Sequence, residues 1–452
     1  MAKESIEQVL IAEQMSVEAA KEFAAKETAA GRPTFFYDHK PSPEEIAGKE
    51  AGIPSDTKRV RFIYQPALSP EGIVEETKDG AYSGLMVRPK TVSPEVNVKF
   101  SVRVGTGVNN FDAWKTEEGH VLMNTPGQNA SATAEYAVKA LLRLTAPTRF
   151  DEATHGVLSD SLTSRDLSDH FSTEIKGKRI AVIGMGDIGI RTAQILKSFG
   201  ADVVGWGYTR TDGSQSFSAE NAEVMGIKWA KTLEEALSGA DAATLHVPGG
   251  ARTNGMIGFD QLSRMKPGAK IVNAARGPVI DAKGLGQAIE SNIVSGFIAD
   301  ADWFQDQDKD PLAPYVAIIK KFAEKQGCIF LVTPHFGGDV TQETNYNGTM
   351  QGLRQISAAY WAQTVYNAQS AVPVGYTNGG VVKPSGIGPV TYAEVQAALV
   401  DNKVPLKAAV GELHELLNKD GVLTPEQLEQ IMVAANALAH KLPTGRPLGI
   451  GV

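Results

Sequence analysis

The stretch from Arg179 to Arg210 constrains the fold more than any other part of the sequence. It reads RIAVIGMGDIGIRTAQILKSFGADVVGWGYTR, in which a short strand pattern leads into Gly184, Gly186 and Gly189 and a helical apolar period follows. A second strand-like run, Val203 to Trp206, comes where a βαβ unit requires it. Glycines in such a turn let the backbone approach a pyrophosphate, and the helix N-terminus offers free N–H groups to it. The context on both sides therefore predicts a dinucleotide-binding unit.

The end of the second strand indicates which dinucleotide is bound. Units that prefer NAD carry an acidic residue there, which binds the ribose hydroxyls, whereas this chain has Gly207. Tyr208, Thr209 and Arg210 follow and supply hydroxyls and a cation. Because a phosphate group carries roughly −1.5 to −2 charges, an arginine favours a 2′-phosphate and an aspartate repels it. The sequence predicts NADP as the preferred cofactor over NAD, and the alternative is an exposed turn in which Arg210 contacts only water.

Composition bounds the class of protein. The 452 residues are enough for two domains, and 42% hydrophobic with 21% charged residues is typical of a globular protein. A formal net charge of −8 without a basic run argues against nucleic acid and acidic membrane surfaces as partners. The single cysteine, Cys328, excludes a disulfide framework and a thiolate metal site, and we expect no bound metal. The N-terminus lacks an apolar signal core and no stretch reaches about 18 apolar residues, so we expect a cytoplasmic protein.

Alternating strand and helix patterns predict an α/β fold with two parallel-sheet domains, Rossmann-like or flavodoxin-like, and a cleft between them. Residues 1–44 are predicted to form an N-terminal helical extension, because they begin with a polar pattern rich in Ala, Glu and Lys. A substrate domain is predicted over 45–143 and completed by 340–389, and a dinucleotide-binding Rossmann domain over 144–339. A helical C-terminal extension is predicted over 390–452, with packing or oligomer contact as its role.

Two long helices, over 131–150 and 342–367, are predicted to link these domains. Between residues 179 and 334 seven strand candidates alternate with helical patterns. This alternation is typical of a doubly wound sheet.

Loops after the strands of the first domain carry candidate substrate-binding residues. Arg88 and Lys90 follow one strand, and the GTG sequence of residues 105–107 follows the next. Ligands of open α/β sheets bind beyond the carboxyl ends of the strands, so two cations and a glycine-rich turn can hold a small carboxylate. The alternative for Arg88 and Lys90 is solvated surface.

Three strand ends in the second domain carry candidate catalytic groups. Arg276 follows IVNAA, Gln305 and Gln307 follow SGFIADADWF, and His335 follows FLVTP. Hydride transfer between a nicotinamide and a 2-oxo or 2-hydroxy acid needs a cation for the carboxylate and a proton donor or acceptor at the oxygen. Arg276 and His335 supply these two groups. Taken singly, they can also be an ion-pair partner and a loop histidine.

The combination of motifs resembles the D-isomer-specific 2-hydroxyacid dehydrogenases. Matching strings run from about Gly84 to Gly348: GTGVNNFD, NTPGQNASATAE, EIKGKRIAVIGMGDIG, VNAARGPVIDAKGLGQAIESN and TPHFGG. The resemblance implies a substrate domain, a cofactor domain and an active site between them. It also implies that Arg276 binds the substrate carboxylate, that His335 is the acid and base, and that Asp300 contacts the nicotinamide amide.

The predicted site residues fall into two further groups. Substrate contacts are predicted at Arg88, Lys90, Thr106, Gly107 and Asn129. Cofactor contacts are predicted in the glycine turn and in the loops after later strands, at Gly184, Gly186, Asp187, Ile188, Gly189, Tyr208, Thr209, Arg210, Pro248, Thr253, Ala274, Asp300 and Gly338. The resemblance also implies a homodimer built through the cofactor domains.

One position departs from the family. The catalytic glutamate that pairs with the histidine is replaced here by Gln305, or by Gln307 if the alignment slips by two residues. Formate dehydrogenases, a branch of the same family, carry glutamine there, and the string WFQDQDKD is similar to theirs. Lys90 and Thr106 differ from the apolar pocket of that branch and suit a larger polar acid.

These observations predict an NADP-linked 2-hydroxyacid dehydrogenase or 2-oxoacid reductase that uses Arg276, a glutamine and His335. A formate dehydrogenase is the first alternative. A cofactor-sensing module that kept the fold and lost turnover is another.

Overall fold

A computed structural model describes residues 6–88, 92–105, 120–145, 158, 173–207, 217–300, 313–322, 328–333, 335–339, 341–365 and 377–378. It contains two parallel β-sheets with helices packed on them, which confirms the predicted α/β fold of two parallel-sheet domains. Several predicted site residues and the predicted C-terminal extension lie outside the described part, namely Lys90, Thr106, Gly107, Tyr208, Thr209, Arg210, Gln305, Gln307 and residues 390–452.

The strands of the two sheets are, in chain order, β1 (Ile6–Ile11), β2 (Thr34–Tyr37), β3 (Arg59–Tyr64), β4 (Gly84–Val87), β5 (Phe100–Arg103), β6 (Val121–Asn124), β7 (Arg179–Ile183), β8 (Asp202–Trp206), β9 (Lys228–Trp229), β10 (Ala242–Leu245), β11 (Ala269–Asn273), β12 (Val294–Asp300) and β13 (Ile329–Thr333). The described helices are α1 (Val17–Ala29), α2 (Pro43–Lys49), α3 (Pro70–Thr77), α4 (Ala130–Thr145), α5 (Asp187–Ser198), α6 (Ala219–Val224), α7 (Leu233–Leu237), α8 (Phe259–Leu262), α9 (Ala282–Glu290), α10 (Ala313–Phe322), α11 (Phe336–Asp339) and α12 (Gln342–Ala362). A short pair, Thr364–Val365 with Thr377–Asn378, stands apart from both sheets.

The first sheet has the strand order β2-β3-β1-β4-β5-β6. Strand β1 lies inside it, paired in parallel with β3 and β4, and its residues Val9, Leu10 and Ile11 are buried. The predicted N-terminal helical extension is therefore wrong, because residues 6–11 and 34–37 are strands of the sheet. Its β-branched residues Ile6, Val9 and Ile11 favour a strand, and pairing on both sides stabilises it. Within the predicted extension, a helix forms over Val17–Ala29 and a second begins at Pro43.

A helix from far along the chain covers one face of this first sheet. Helix α12 packs on α1 and on β5, and its residues Met350, Leu353 and Ile356 join the apolar layer. The Ser16 N–H donates to the Thr349 hydroxyl at 3.0 Å, which ties the beginning of the chain to α12. The domain thus draws on two distant parts of the sequence.

The second sheet has the strand order β13-β12-β11-β10-β7-β8-β9. The described strands between residues 179 and 334 number seven, as the sequence predicts. The strand order reverses between β7 and β10, and ligands of open α/β sheets bind at that switch point. Helix α4 packs on α5, β11 and β12, and thereby joins this sheet to the loop after β6.

Within the part of the chain that the structure describes, every helix is too short or too polar to span a bilayer.

Candidate active site

The three glycines of the turn after β7 have three different surroundings. Gly184 has φ +99°, and a Cβ there would lie 2.7 Å from the His246 carbonyl carbon. A Cβ on Gly189 would lie 2.1 Å from the Gly184 carbonyl oxygen. At Gly186, which caps α5, an added Cβ would meet nothing within 4 Å. The turn is tight at its first glycine, open at its second and packed on the helix at its third, which is the arrangement that a pyrophosphate requires.

Backbone groups dominate the switch point between β7 and β10. The His246 N–H donates to the Ile183 carbonyl at 2.7 Å, and the Gly184 N–H donates to the Trp206 carbonyl at 2.9 Å. Burial lowers the pKa of His246 to about 3, so its ring is neutral at physiological pH. A bound anion would therefore meet the N-terminus of α5 here, where Asp187 and Ile188 form a partly exposed first turn.

The loop after β10 is held by one of the predicted cofactor contacts. Pro248 is exposed, whereas Thr253 is buried and its hydroxyl donates to the Pro248 carbonyl at 2.7 Å. Gly249 lies beside the site arginine, since a Cβ there would come within 2.7 Å of Arg276 Cγ. Thr253 thus fixes the loop that contacts Arg276.

The turn that carries Arg276 is braced by the last residue of β11. The buried Asn273 side chain accepts from the Ala275 N–H at 3.1 Å and donates to the Arg276 carbonyl at 2.9 Å. These bonds close the turn around Ala274, and Arg276 itself is extended, with φ −141° and ψ 147°. Its Nη1 donates to the Ala275 carbonyl at 2.8 Å. The guanidinium is therefore held beyond the carboxyl end of β11.

His335 lies in a strained turn that Asp300 holds. Its φ of +59° is unusual for a residue other than glycine, although histidine tolerates this region better than most. The buried Asp300 carboxylate accepts from the Phe336 N–H and the Gly337 N–H, each at 2.7 Å, and from the Thr333 hydroxyl at 2.6 Å. Three donors from both sides of His335 thus converge on one carboxylate.

The N-terminal half of α4 and the residue before it pack against the same loop. Tyr136 and Thr333 share a hydrogen bond between their hydroxyls at 2.5 Å, and burial raises the pKa of Tyr136 to about 12. A Cβ on Gly338 would lie 2.7 Å from Asn129 Nδ2, so the glycine admits this amide. Asn129, predicted as a substrate contact, is thereby brought to the His335 turn.

The carboxyl edge of the first sheet carries buried polar residues. Arg88 follows β4, and its N–H donates to the Glu13 carboxylate at 2.5 Å. Arg103, the last residue of β5, is also buried, and its guanidinium occupies the space that a Cβ on Gly105 would need. The sequence analysis missed Glu13 and Arg103. An arginine inside the apolar run FSVRV was the available signal for Arg103, while Glu13 lay in the segment taken for an extension.

Glutamines from α12 complete this edge. Gln355 Nε2 donates to the Asn124 carbonyl at 2.8 Å, and Gln128 donates to the Gln351 side chain. The Gly105 N–H donates to the Thr125 hydroxyl at 2.7 Å. Amides and hydroxyls therefore fix the loops that follow β5 and β6.

Arg276 follows β11, Asp300 ends β12 and His335 follows β13, three neighbouring strands at one edge of the sheet that also carries the glycine turn. Residues 142–337 match the model of the D-isomer specific 2-hydroxyacid dehydrogenase, NAD binding domain. The cofactor domain belongs to this family. The resemblance predicted from the sequence is confirmed, and the domain binds a nicotinamide cofactor.

Similar proteins include D-3-phosphoglycerate dehydrogenases. That of Archaeoglobus fulgidus is 31% identical over 260 residues, which cover 56% of this chain and 46% of the relative. That of Mycobacterium tuberculosis (strain ATCC 25618 / H37Rv) is 29% identical over 364 residues, covering 78% of this chain and 61% of the relative. The chain spans about half the length of the first two such relatives, 46% and 54%.

Solved structures show the same fold. The crystal structure of a glyoxylate reductase from Paecilomyes thermophila matches with a TM-score of 0.57 and 20% identity, over 80% of this chain and 98% of that one.

Proposed function

We propose that this chain is an NADP-preferring dehydrogenase that transfers a hydride between the cofactor and a small D-2-hydroxy or 2-oxo acid. The supporting observation is the placement of Arg276 and the Asp300-held His335 turn on adjacent strands, at the same sheet edge as the glycine turn. The open side of Gly186 fits the pyrophosphate of the cofactor. When bound, the nicotinamide ring supplies or accepts the hydride.

The residues of the chain have separate tasks in this proposal. The Arg276 guanidinium pairs with the substrate carboxylate and orients the carbon that reacts. His335 donates a proton to the oxygen at that carbon during reduction and accepts it during oxidation. Asp300 positions His335, because it bonds the N–H groups of the two residues that follow the histidine. A left-handed histidine persists only where its surroundings determine it in this way.

We further propose a substrate with a second polar or anionic group. Support comes from the buried cations Arg88 and Arg103 at the edge of the first sheet. The relatives named above are D-3-phosphoglycerate dehydrogenases, whose named substrate carries such a group. Two arginines at this edge suit a larger acid better than formate, which has no second group to bind.

The proposal is tested with a substrate panel and both nicotinamide cofactors. Glyoxylate, hydroxypyruvate and larger 2-oxo acids are assayed for reduction, and 3-phosphoglycerate and formate for oxidation. Highest kcat/KM with an acid that carries a second polar group supports the proposal. Highest kcat/KM with formate indicates the formate dehydrogenase alternative, and cofactor binding without turnover of any acid indicates the sensing module.

The NADP preference rests on Gly207, which leaves the end of β8 without a carboxylate, and on Arg210 after it. Arg210→Ala is expected to raise the KM for NADPH while barely changing that for NADH, because only the 2′-phosphate is lost as a partner. Equal efficiency with both cofactors in the unmodified enzyme contradicts the preference.

The glutamine that accompanies His335 is identified by paired variants. A carboxylate partner stabilises the charged imidazole, whereas an amide only fixes its tautomer. Reduction needs the protonated ring, so replacing the correct glutamine, Gln305 or Gln307, by Glu moves the decline of kcat/KM to higher pH. The other variant serves as the control, and no shift in either means that neither glutamine is the partner.

We also propose a homodimer built through the cofactor domains, as in the family that the sequence resembles. Sedimentation equilibrium of the full chain tests this state, and a monomer at micromolar concentration contradicts it.

A further inference from the structure

A cavity lies at the amino edge of the second sheet, opposite the glycine turn. Its volume is about 130 Å³, and it is bounded by the start of β7, β10 and β11 and by the end of α4. We name it the lysine pocket, because three lysines but only one carboxylate line it, namely Lys178, Lys266, Lys270 and Asp241. A water site needs roughly 10–15 Å³ of such volume, so the pocket has room for an oxyanion of five heavy atoms and accompanying water.

Lys270 is an unusual residue for its position. It lies in β11, between β10 and β12, where interior strands normally present apolar side chains to the covering helix. Gly296 on β12 makes room for it, since a Cβ there would lie 2.8 Å from Lys270 Cδ and 2.9 Å from Leu144 Cδ2. The lysine stem therefore runs through the apolar layer under α4. A charged group in this layer needs a partner to offset the loss of hydration.

The partner that Lys270 has within the described residues is neutral. Its ammonium donates to the Ser295 hydroxyl at 2.7 Å, and that hydroxyl donates to the Gly268 carbonyl at 2.7 Å. Burial lowers the pKa of Lys270, while the nearby Cys328 thiol acts in the opposite direction. Among the described residues, the carboxylates therefore all lie beyond hydrogen-bonding distance of this half-buried ammonium.

The pocket retains excess positive charge after its internal ion pair is formed. Asp241 is bonded to Lys266 through both carboxylate oxygens at 2.8 Å and accepts from the Arg179 N–H at 2.8 Å. The Lys178 ammonium makes no hydrogen bond or ion pair with the described part of the chain, although it lowers the pKa of Asp241 through its charge. Lys178 and Lys270 therefore remain for an incoming anion.

We propose that the lysine pocket binds a phosphate group, held between the ammonium groups of Lys178 and Lys270. This site is separate from the cofactor site, because it lies at the opposite ends of β7, β10 and β11. An anion there bridges three strands whose other ends carry Gly184, the His246 loop and Arg276. Occupancy would consequently stabilise the framework of the active site without contacting substrate.

Inorganic phosphate is the probe, and titration calorimetry and thermal melting of the full chain are the measurements. Saturating NADP⁺ fills the pyrophosphate site, and sodium chloride of equal ionic strength controls for screening. Phosphate, but not chloride, is expected to raise the melting temperature, since a ligand of the native state stabilises it. Glycerol phosphate in a parallel titration distinguishes a phosphate monoester from the free ion by its tighter or weaker binding.

Lys270→Met and Lys178→Met are expected to weaken phosphate binding by about tenfold to hundredfold, the range for losing a hydrogen bond to a charged group. Lys283→Met, an exposed lysine of the same domain outside the pocket, is the matched control and should bind as the unmodified chain does. Lys270→Met should fold and bind NADP⁺ normally, because a methionine fits the apolar layer. Unchanged phosphate affinity in both pocket variants, or no phosphate binding by the unmodified chain at saturating NADP⁺, overturns the proposal.

Discussion

The carboxyl edges of the two sheets are built in different ways. The edge of the cofactor domain consists mainly of backbone: glycines without room for a Cβ, N–H groups at the start of α5, and a turn braced by Asn273 and Asp300. The edge of the first domain consists of buried side chains, Arg88 and Arg103 among them, and draws on α12. Backbone sites depend on local sequence, whereas side-chain sites depend on residues that only the fold brings together.

The largest effect is expected at the edge of the cofactor domain, at the proposed catalytic pair. His335→Ala should reduce kcat/KM for the 2-oxo acid by about 10² to 10⁴, the usual contribution of general acid–base catalysis. Arg276→Ala should reduce it by about tenfold to hundredfold or more, because the substrate carboxylate loses a charged hydrogen-bond partner. Cofactor affinity, measured by titration calorimetry, should change little.

His335→Asn is the matched control, because asparagine tolerates a φ near +59° and keeps the turn without supplying the proton. It should lose turnover as fully as the alanine variant. A loss of less than tenfold in either His335 variant removes the histidine from the proposed chemistry.

The backbone character of the cofactor edge is tested by adding one methyl group. Gly189→Ala should lower the free energy of unfolding by roughly 1–3 kcal/mol or more and abolish cofactor binding, since its Cβ would overlap the Gly184 carbonyl. Gly186→Ala is the control at an open position, and it should melt normally but bind the cofactor more weakly. Equal melting temperatures for the two variants would show that the third glycine is not a packing position.

The role of buried side chains at the edge of the first domain is tested at Arg103. Arg103→Met should raise the KM of the preferred acid by about tenfold to hundredfold, if a charged hydrogen bond to the substrate is lost. Arg103→Lys keeps the charge but loses the planar fork, so a partial effect is expected. The KM of the cofactor should be unchanged in both variants. A change in the cofactor KM without a change in the KM of the acid would mean that Arg103 acts on the cofactor and not on the substrate.

A smaller, pH-dependent effect is expected in the first domain at Glu50. This buried carboxylate bonds Arg59 at 2.9 Å and Arg61 at 2.6 Å. Burial raises the pKa of Glu50, but the hydrogen bonds of Arg61 and Arg59 outweigh it and hold the pKa below its usual value. Stability from this group is therefore present above the unfolded pKa of about 4.3 and is lost as pH falls through the lower folded value.

Glu50→Gln should consequently melt at a lower temperature than the unmodified chain at pH 7, because two arginines lose their counter-charge. The difference should narrow as the pH falls below about 4.3, where the carboxylate of the unfolded chain is protonated first and that of the folded chain follows at lower pH. Glu44→Gln, an exposed carboxylate on α2, is the control. A difference that is constant between pH 7 and pH 3 would mean that Glu50 does not act through its charge.

The same contrast explains which features the sequence predicted. The dinucleotide unit, the seven strands of its sheet, and the positions of Arg276 and His335 after strands follow from local patterns of strand, glycine turn and helix. Strand β1 was not predicted: its Ile and Val residues favour a strand, but the Ala, Glu and Lys residues that follow it favour a helix, and pairing with β3 and β4 decides the outcome. Glu13 was missed because its partner Arg88 lies 75 residues away, whereas Arg103, inside the apolar run FSVRV, did have a local signal.

The position of β1 determines the order in which the two domains can fold during synthesis on the ribosome. Ser16 and Thr349, which join the beginning of the chain to α12, are 333 residues apart. At about 5–20 residues per second, roughly 17 to 67 s pass between the synthesis of these two residues. The cofactor sheet is contiguous in sequence and can form within that interval. The apolar face of β1 and α1 stays exposed until α12 has been synthesised and packs on it. The first strand to be made therefore belongs to the last domain to be completed.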